Sequence, residues 1–388
     1  MPVSVSTSVS VSVALPAPAP SFGELRDLVE AFAVRHRLLK VPEDRMVYQQ
    51  VPGCPCAYVE LMEFDELVQQ VLHEHRARPF RVQHVRDVRY YLVHYDEDDF
   101  RNLRRDRRLL SFRNGVLVLP EARFVPVRDG VAPPELEGRV ARHHVDLEYT
   151  GGRETPLMDA LVEALLGDAT DATDASDASR RDVLYMLLGR LLFQVRELDN
   201  WQVVPLLLGG GGGAAAVLHV VEAMFDPGAV GCGYANKRVI GGGVGGGGGS
   251  GRQRAGAKEV LIVHHAATQL KRMPKDIFTA MVSGECRSVR NGVAASRDPW
   301  RAPMLVSSDR PLDYEDSGGQ VRRRVVPFYC HHVPPDAPTA SEVLDELPNV
   351  VARCLAAYLD AVNAVGRRSF WAFCPESLRQ AQTKYNAT

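Results

Sequence analysis

The stretch Leu206–Leu218 reads L-L-L-G-G-G-G-G-A-A-A-V-L, and it decides the fold. The apolar run Val203–Leu208 leads into the glycines, and the apolar run Val217–Phe225 follows them with the character of a helix. A strand, a glycine-rich turn and a helix in this order are typical of a phosphate-binding loop, in which backbone N–H groups surround an anion. The stretch therefore predicts an α/β fold with such a loop at the end of one strand.

The side chains that give a phosphate-binding loop its chemistry are replaced by alanine. The pattern G-x-x-x-x-G-K-[ST] uses its lysine to contact the terminal phosphates and its hydroxyl to hold Mg²⁺. Counted from Gly209, the second glycine, the lysine and the hydroxyl fall on Ala214, Ala215 and Ala216. The candidate nucleotide-binding segment is therefore Gly209, Gly210, Gly211, Gly212, Gly213, Ala214, Ala215 and Ala216.

Two opposing effects bear on nucleotide binding by this segment. Glycine N–H groups at a helix N-terminus attract anions without any side chain. Five consecutive glycines, however, lose much conformational entropy when they become ordered. We therefore expect an empty, mobile loop and no ATP hydrolysis.

Composition excludes several classes of function. The net charge of −2 over 388 residues gives no global nucleic-acid footprint. No run approaches about 18 apolar residues, so we expect no membrane span. The first 20 residues lack the basic segment of a secretory signal. Seven cysteines without a C-x-x-C pair predict reduced thiols, an intracellular location and no metal site.

The chain divides into five predicted segments. They are a disordered low-complexity segment at 1–20, a smaller α+β N-terminal region at 21–150, a helical lead-in at 151–200 with a low-complexity loop at 168–179, a core at 201–335 with a flexible glycine-rich insert at 241–256, and C-terminal helices at 336–388.

Hydrophobic periodicity and turn signals predict the elements of the second half of the chain. Helices are predicted at Arg181–Leu198, Val217–Phe225, Asp276–Ser283 and Glu342–Val365, and the last of these is either one helix or two helices broken at Pro348. Strands are predicted at Val203–Leu208, Glu259–Val263, Met304–Ser307 and Arg324–Phe328. Earlier in the chain, a hairpin with an Asn114-Gly115 turn is predicted within Leu109–Phe124. Strands that alternate with helices predict a parallel sheet covered on both faces.

Arginines crowd the segment Arg101–Arg113. Their fork-shaped guanidinium groups are suited to DNA phosphates. An acidic run, Asp96–Asp99, lies just upstream, and Asp106 lies inside the segment. The arginines could therefore either contact DNA phosphates or form local salt bridges on a solvated face, and the sequence leaves both roles open.

Five groups of residues, in chain order, carry a resemblance to a known family. They are Leu109–Val116 (LLSFRNGV), Tyr185–Leu192 (YMLLGRLL), Trp201–Pro205 (WQVVP), Ser283–Glu285 followed by Trp300–Pro303 (SGE, WRAP), and Gly318–Arg323 (GGQVRR). In this order and spacing they resemble the helicase portion of the poxvirus and giant-virus primase–helicases, which are superfamily 3 helicases of the AAA+ class. The resemblance implies an AAA+-type parallel sheet flanked by helices, with ATP and Mg²⁺ as cofactors.

The same resemblance implies partners and a location. Its members form rings, so we expect a homo- or hetero-oligomer, with single-stranded DNA as a ligand and no membrane contact. A viral source would place the protein in the host cytoplasm or nucleus. Arg287 and Arg290 correspond to the DNA-facing hairpin, and Arg322 or Arg323 to the arginine finger that reaches the nucleotide of a neighbouring subunit.

The remaining catalytic positions depart from the family pattern. The strand Glu259–Val263 ends in His264 and His265, where the family places acidic residues that hold Mg²⁺ and polarise water. Adjacent residues at a strand end point to opposite faces, so we expect the two histidines not to share a metal ion. Asp309 stands at the sensor position, where the family places an asparagine.

Three functional hypotheses follow. The first is a superfamily 3 helicase-like protein of viral DNA replication that is impaired or inactive in ATP hydrolysis. The second is a non-catalytic DNA-binding or assembly subunit of a helicase ring. The third is a decaying gene copy, which the Asp/Ala and glycine tracts would fit.

Overall fold

A computed structural model describes most of the chain. The described residues are 21–41, 46–74, 82–94, 104–128, 131, 133–136, 138–167, 180–209, 212–225, 229–232, 259–264, 275–285, 289–290, 293–294, 300–314, 316 and 318–387. By their internal contacts they belong to two compact units, one from 1–50 and 60–103 and the other from 51–59 and 104–388. The described helices include none that is long and apolar enough to cross a bilayer. The segments 1–20, 168–179 and 241–256 lie outside the described residues.

The first unit is a small α+β structure. Its elements are α1 (Phe22–His36), β1 (Leu38–Val41), β2 (Met46–Gln50), the last four residues of β3 (Tyr58–Glu63), α2 (Phe64–Glu74) and α3 (Val82–His94), with the sheet order β1-β2-β3. A capping box starts α1, because Ser21 Oγ accepts from the N–H of Glu24 and the Glu24 carboxylate accepts from the N–H of Ser21. Leu25, Val29 and Leu67 are buried in its core.

The second unit begins with a four-stranded sheet. Its strands are β4 (Arg104–Phe112), β5 (Gly115–Val118), β6 (Arg123–Pro126) and β7 (Arg139–Val145), in the order β6-β5-β4-β7. The predicted hairpin is confirmed, with β4 and β5 antiparallel and Phe112 opposite Gly115. Gly115 is required by close packing, since a Cβ atom there would lie 2.4 Å from the carbonyl O of Val125.

A five-stranded, all-parallel sheet forms the centre of the second unit, and it confirms the predicted fold class. Its strands are β8 (Val204–Leu208), β9 (Val230–Cys232), β10 (Val260–Val263), β13 (Met304–Ser308) and β14 (Val325–Tyr329). The spatial order is β14-β8-β13-β10-β9, and every neighbouring pair is parallel. Two further strands, β11 (Val289–Arg290) and β12 (Val293–Ala294), pair separately as an antiparallel hairpin.

Helices cover both faces of the parallel sheet because its strands are apolar on alternate sides. One face, which includes Leu207 and Ile262, packs against α4 (Pro156–Leu166), α5 (Arg180–Arg190), α6 (Gly212–Glu222) and α9 (Leu347–Val365). The other face, which includes Leu206 and Val306, packs against α7 (Lys275–Val282) and against Tyr385 of α10 (Glu376–Ala387). A short helix, α8 (Ala340–Val343), precedes α9.

Two predicted helix boundaries are wrong. The helix predicted to run to Leu198 ends at Arg190, whose buried guanidinium donates to Asp199 at 2.7 and 3.1 Å and to the carbonyl O of Trp201. The helix predicted from Val217 begins five residues earlier, at Gly212, inside the glycine run. The C-terminal helix is divided as expected, but Pro348 lies in the first turn of α9, where its missing N–H costs nothing.

Candidate functional site

The order of the strands places a crevice beside the glycine run. The chain leaves β8 toward β9 at one edge of the sheet, and it leaves β13 toward β14 at the other edge. In open α/β sheets, ligands bind where two neighbouring strands diverge in this way, outside their carboxyl ends. Gly209 follows β8 and Asp309 follows β13, and the N–H of Gly209 donates to the carbonyl O of Ser308 at 2.9 Å. The sequence-predicted loop and sensor position therefore lie at one crevice.

Packing accounts for the glycines at both ends of the run. Gly209 has φ +148°, and a Cβ atom there would lie 2.3 Å from the carbonyl O of Cys330. A Cβ atom at Gly213 would lie 2.2 Å from Cγ2 of Val333 and 2.8 Å from Cδ1 of Leu165. The segment from Cys330 to Val333 thus runs along the loop, and close approach requires glycine at 209 and 213 without any phosphate. Gly210 and Gly211 lie outside the described residues.

The three alanines that replace the reactive positions are in ordinary helical surroundings. Ala214 is buried in the core, Ala216 packs partly against it, and Ala215 is exposed on the first turn of α6. The first turn of α6 contains no acidic residue. From Gly212 to Ala216 the chain therefore offers backbone N–H groups alone to an anion.

His264 is engaged by the last residue of α6. Its Nε2 lies 3.1 Å from Oε1 of Glu222, and Nδ1 of His219 lies 3.9 Å from the other oxygen of the same carboxylate. His265 lies outside the described residues. Among the residues that the structure describes, no group of three His, Cys, Asp or Glu side chains is arranged to hold a metal ion. At this strand end the described residues thus show a histidine paired with the carboxylate of Glu222 from α6.

Asp309 is exposed at the carboxyl end of β13. The turn that carries it is held by Ser308, whose Oγ donates to the carbonyl O of Arg310 at 2.6 Å and accepts from the N–H of Arg310 at 3.4 Å. Within the described part of the chain, the Asp309 carboxylate has no hydrogen bond or ion pair. A fixed backbone thus presents a negative charge beside the glycine run.

The arginine-finger candidates lie on a 3₁₀ turn, Arg322–Arg324, directly before β14. Asp316 holds the start of this turn by accepting from the N–H groups of Gln320, Val321 and Arg322 at 2.7, 2.7 and 2.9 Å. Partial burial would raise the pKa of Asp316, but these donors and the charge of Lys275 outweigh burial and lower it. The Asp316 carboxylate is therefore an anionic cap on the turn.

The three arginines of this turn have different surroundings. Arg322 donates to the carbonyl O of Asn386 in α10. Arg324 donates to the side chains of Gln202 and Ser283 at 2.9 and 3.1 Å. Arg323 is exposed, and no hydrogen bond or ion pair of its side chain occurs within the described residues. The structure thus separates two candidates that the sequence left equal, because it commits Arg322 to packing of the C-terminal helix.

The backbone at Arg323 is nevertheless fixed. Its carbonyl O accepts from Nε1 of Trp371 at 2.9 Å, and its N–H donates to the carbonyl O of Gly319 at 3.1 Å. The carbonyl O of the preceding Arg322 accepts from the amide of Gln382. A free side chain on a constrained backbone is suited to contact with an external anion, since little backbone entropy is then lost.

The DNA-facing candidates are only partly within the described residues. Arg290 lies on β11, opposite Val293 of β12. Asn291-Gly292, which connects the two strands, is a sequence typical of a tight hairpin turn. Arg287 lies outside the described residues.

Several arginines of the Arg101–Arg113 segment form salt bridges. Arg108 pairs with Glu197 at 2.8 Å, and Arg113 pairs with Asp146 at 2.7 Å. Asp106 binds Arg139 of the neighbouring strand β7. These partners come from other elements, and the upstream acidic run lies outside the described residues.

The structure contains a buried ionic cluster around Glu259 that no sequence pattern indicated. Glu259 is 4% exposed and precedes β10. It forms an ion pair with Arg142, lies 3.6 Å from Nε of Arg107, and lies 2.7 Å from Nε2 of His143. Burial, reinforced by the surrounding arginines, holds the pKa of His143 well below its usual value, so a neutral imidazole donates to the carboxylate. Burial also lowers the pKa of Arg107 to about 10.

This cluster joins the two sheets of the second unit. Arg107 on β4 also donates to the carbonyl O atoms of Leu191, Phe193 and Glu259 at 3.3, 3.1 and 3.0 Å. The sequence carried no signal for it, because Glu259 is separated from its partners on β4 and β7 by more than a hundred residues and they share no motif.

Comparisons with known proteins give weak structural likeness only. No protein-family model and no curated protein matches the chain. Two solved structures of the NrS-1 C-terminal region in its A form without ligand are similar. The first, of residues 305–718, has 15% identity and a TM-score of 0.31 over 53% of this chain and 45% of that chain. The second has 12% identity and a TM-score of 0.40 over 85% and 68%. The chain thus spans less than half of the first structure.

Proposed function

We propose that this chain is a superfamily 3 helicase-like subunit of a viral replication assembly that does not hydrolyse ATP. It acts by binding neighbouring subunits of the assembly. In the assembly, Arg323 lies at the crevice of the adjoining subunit where a nucleotide would bind. The observation that carries this proposal is the contrast within one turn, where Arg322 and Arg324 are committed to intramolecular partners and Arg323 is not.

The topology supports a contact between subunits. Arg323 precedes β14, while Gly209 follows β8, the parallel neighbour of β14. Arg323 therefore lies at the amino end of the parallel strands and Gly209 at their carboxyl end. The length of a five-residue strand separates them, about 16 Å at 3.3 Å per residue. Arg323 lies too far from the loop of its own chain to contact an anion there, and this supports a role for Arg323 in a contact with another subunit.

The site does not fit ATP with Mg²⁺ as a substrate for hydrolysis. Phosphoryl transfer depends on positive charge around the terminal phosphates and on a positioned metal ion. Ala215 supplies no charge, Ala216 supplies no hydroxyl, and His264 is paired with Glu222. Removal of a single stabilising group of this kind costs about 10²–10³ in rate, and here several are missing together.

Two measurements on the unmodified protein test the proposal. Sedimentation velocity is expected to show assembly without nucleotide, and a phosphate-release assay with Mg-ATP is expected to show no turnover above a buffer control. Turnover would contradict the loss of hydrolysis. A monomer at all accessible concentrations would contradict the assembly role.

A second candidate function, single-stranded DNA binding, rests on the hairpin of β11 and β12. In the hairpin, Arg290 is the last residue of β11, which follows α7 in the chain. Phosphate contacts would make affinity fall steeply with salt, by about 0.7 in log K per log salt for each contact. Fluorescence anisotropy with a labelled oligonucleotide at several salt concentrations tests this function. Arg290→Ala is expected to reduce the slope of log K against log salt. Absence of binding at low salt would exclude the function.

A further inference from the structure

We infer that the Glu259 cluster is an acid-sensitive latch that closes a hinged part of the four-stranded sheet. The hinged part is the outer ladder, which consists of Arg104–Asp106 of β4 paired with Arg139–Ala141 of β7. The inner ladder, Leu110–Phe112 paired with His143–Val145, continues the same two strands. The latch goes beyond the proposed function, because it involves neither a nucleotide nor a second subunit.

An irregularity in β4 separates the two ladders. The register shifts between Asp106 and Leu110. Three residues of β4, 107–109, therefore lie opposite the single residue Arg142 of β7. Bulges of this kind interrupt the ladder, bend the strand and redirect its side chains. The pairing of β5 with β4 begins only at Leu109, so β5 supports the inner ladder and not the outer one. The bulge thus provides a hinge between the two ladders.

The two ladders are held in different ways. The inner ladder contributes Leu110 and Phe112 to the main apolar core. In the described part of the chain, the outer ladder contributes no residue to that core, and Ala141 is its one member in a smaller apolar cluster. An ion pair of Asp106 with Arg139 ties its two strands together. The outer ladder can therefore move as one piece, and polar contacts at the bulge contribute strongly to its closed position.

The Glu259 cluster holds both strands at the bulge. Arg107, within the bulge, donates to the carbonyl O of Glu259 at 3.0 Å. The Glu259 carboxylate accepts from Nε2 of His143 on β7 at 2.7 Å, and it also forms an ion pair with Arg142. Glu259 precedes β10 of the parallel sheet, and its N–H donates to the carbonyl O of Ala229 at 2.9 Å. A single residue thus fixes the hinge to the parallel sheet.

His143 is the member of the latch that titrates near neutral pH. The groups that face its imidazole from the surrounding elements are the Glu259 carboxylate, Arg105 and Arg107 of β4, Arg142 of β7 and the edge of the Phe225 ring at 5.3 Å. Burial, followed by the charges of the three arginines, lowers the pKa of His143 well below its usual value. The closed latch therefore excludes a proton that the open latch accepts.

This difference in proton binding fixes the direction of the pH effect. The closed state is fully favoured above the ordinary histidine pKa of about 6.5, and it loses that advantage as the pH falls. Below about pH 6.5 opening takes up one proton, so the open fraction is expected to rise about tenfold for each pH unit. Carboxyl groups of ordinary pKa, about 4, stay ionised down to pH 5.5 and add little to the change.

Hydrogen exchange measured by mass spectrometry tests the latch in the unmodified protein. Exchange at pH 7.5 is compared with exchange at pH 5.5 after correction for the intrinsic rates. Protection of the outer ladder is expected to fall about tenfold between these pH values, whereas protection of the inner ladder stays within about twofold. The inner ladder is an internal reference, because it lies on the same two strands and is anchored in the main core.

His143→Gln separates the titration of His143 from other effects of pH. Glutamine retains an N–H donor for Glu259 but takes up no proton, so protection of the outer ladder is expected to change less than about twofold between the two pH values. His331→Gln replaces an exposed histidine and is the matched control, with the tenfold change expected to remain. Circular dichroism of each variant checks folding.

Each outcome either supports or overturns the latch. Loss of protection that is confined to the outer ladder and absent from His143→Gln supports it. Equal loss in both ladders shows global unfolding and overturns it, as does an outer ladder that is unchanged at pH 5.5 or a tenfold change that persists in folded His143→Gln. If His143→Gln does not fold, the comparison of the two ladders in the unmodified protein still decides. All of these results leave the proposed function untouched, because none depends on assembly or on ATP.

Discussion

Gly213 and Val333 are in contact so close that a Cβ atom at 213 would lie 2.2 Å from Cγ2 of Val333. The neighbouring Gly212 is exposed, with no atom within 4 Å of its own Cβ position. The two glycines therefore have opposite expected responses to the same substitution. Gly213→Ala is expected to destabilise the fold by about 1–3 kcal/mol through overpacking. Gly212→Ala is expected to stabilise it by about 0.5–1 kcal/mol, because it restricts the unfolded chain.

Urea unfolding of both variants measures this difference. If Gly213→Ala were as stable as Gly212→Ala, the segment from Cys330 to Val333 would not run along the loop in solution. The glycine at 213 would then need another explanation, and retention of a phosphate-binding backbone would be the leading one.

The Glu259 cluster is expected to be a major contributor to stability. Glu259→Gln leaves Arg107 and Arg142 without their buried counter-charge, and removal of one partner of a buried pair costs about 3–5 kcal/mol. Glu121→Gln, which weakens the exposed pair with Arg123, is the control and is expected to cost less than about 1 kcal/mol. Equal midpoints for the two variants in urea unfolding would show that Glu259 is solvated rather than buried.

His143 makes stability depend on pH. Its pKa in the folded protein is well below the usual value, so below about pH 6.5 the unfolded chain binds a proton that the folded chain does not. The stabilisation is thus present above that pH and lost as the pH falls, by up to about 1.4 kcal/mol per unit. Urea midpoints at pH 7.5, 6.5 and 5.5 are expected to fall in this order. His143→Gln should flatten the trend, whereas exposed His331→Gln should not.

Restoring the two loop residues is expected to restore nucleotide binding. Ala215→Lys with Ala216→Ser returns a cation and a hydroxyl to the first turn of α6, and Ala215 is exposed enough to accept a longer side chain. Isothermal titration with Mg-ATP is expected to show binding by the double variant at least about tenfold tighter than by the unmodified protein. Micromolar affinity in the unmodified protein would show that the backbone N–H groups suffice.

The local sequence pattern was sufficient to predict the fold class and the position of the glycine loop at the end of β8. The alternation of apolar strands with helices is a property of neighbouring residues, so β8, β10, β13 and β14 are predicted within one residue at each end. The glycine run marks the end of β8 for the same reason. Helix ends were less predictable, because Arg190 stops α5 through partners that come from later in the chain.

The sequence also gives the residue types at the positions where the family has its catalytic residues. If the resemblance to the helicase family holds, the alanines at 215 and 216, the histidine at 264 and the aspartate at 309 stand where the usual ligands of ATP and Mg²⁺ are expected. What these positions do instead depends on their neighbours in space. His264 pairs with Glu222 from α6, and Asp309 stays exposed on a turn held by Ser308.

Residue types and their spacing alone thus predicted an α/β chain with an emptied phosphate-binding loop, and the resemblance to a helicase family added two equivalent arginine candidates. Folding removed that equivalence, because α10 and the 370–372 turn approach β14 from more than forty residues away and engage Arg322 while leaving Arg323 exposed. It also buried Glu259 among Arg107, Arg142 and His143. Both results depend on contacts between distant segments, and such contacts leave no periodic pattern in the sequence that could reveal them.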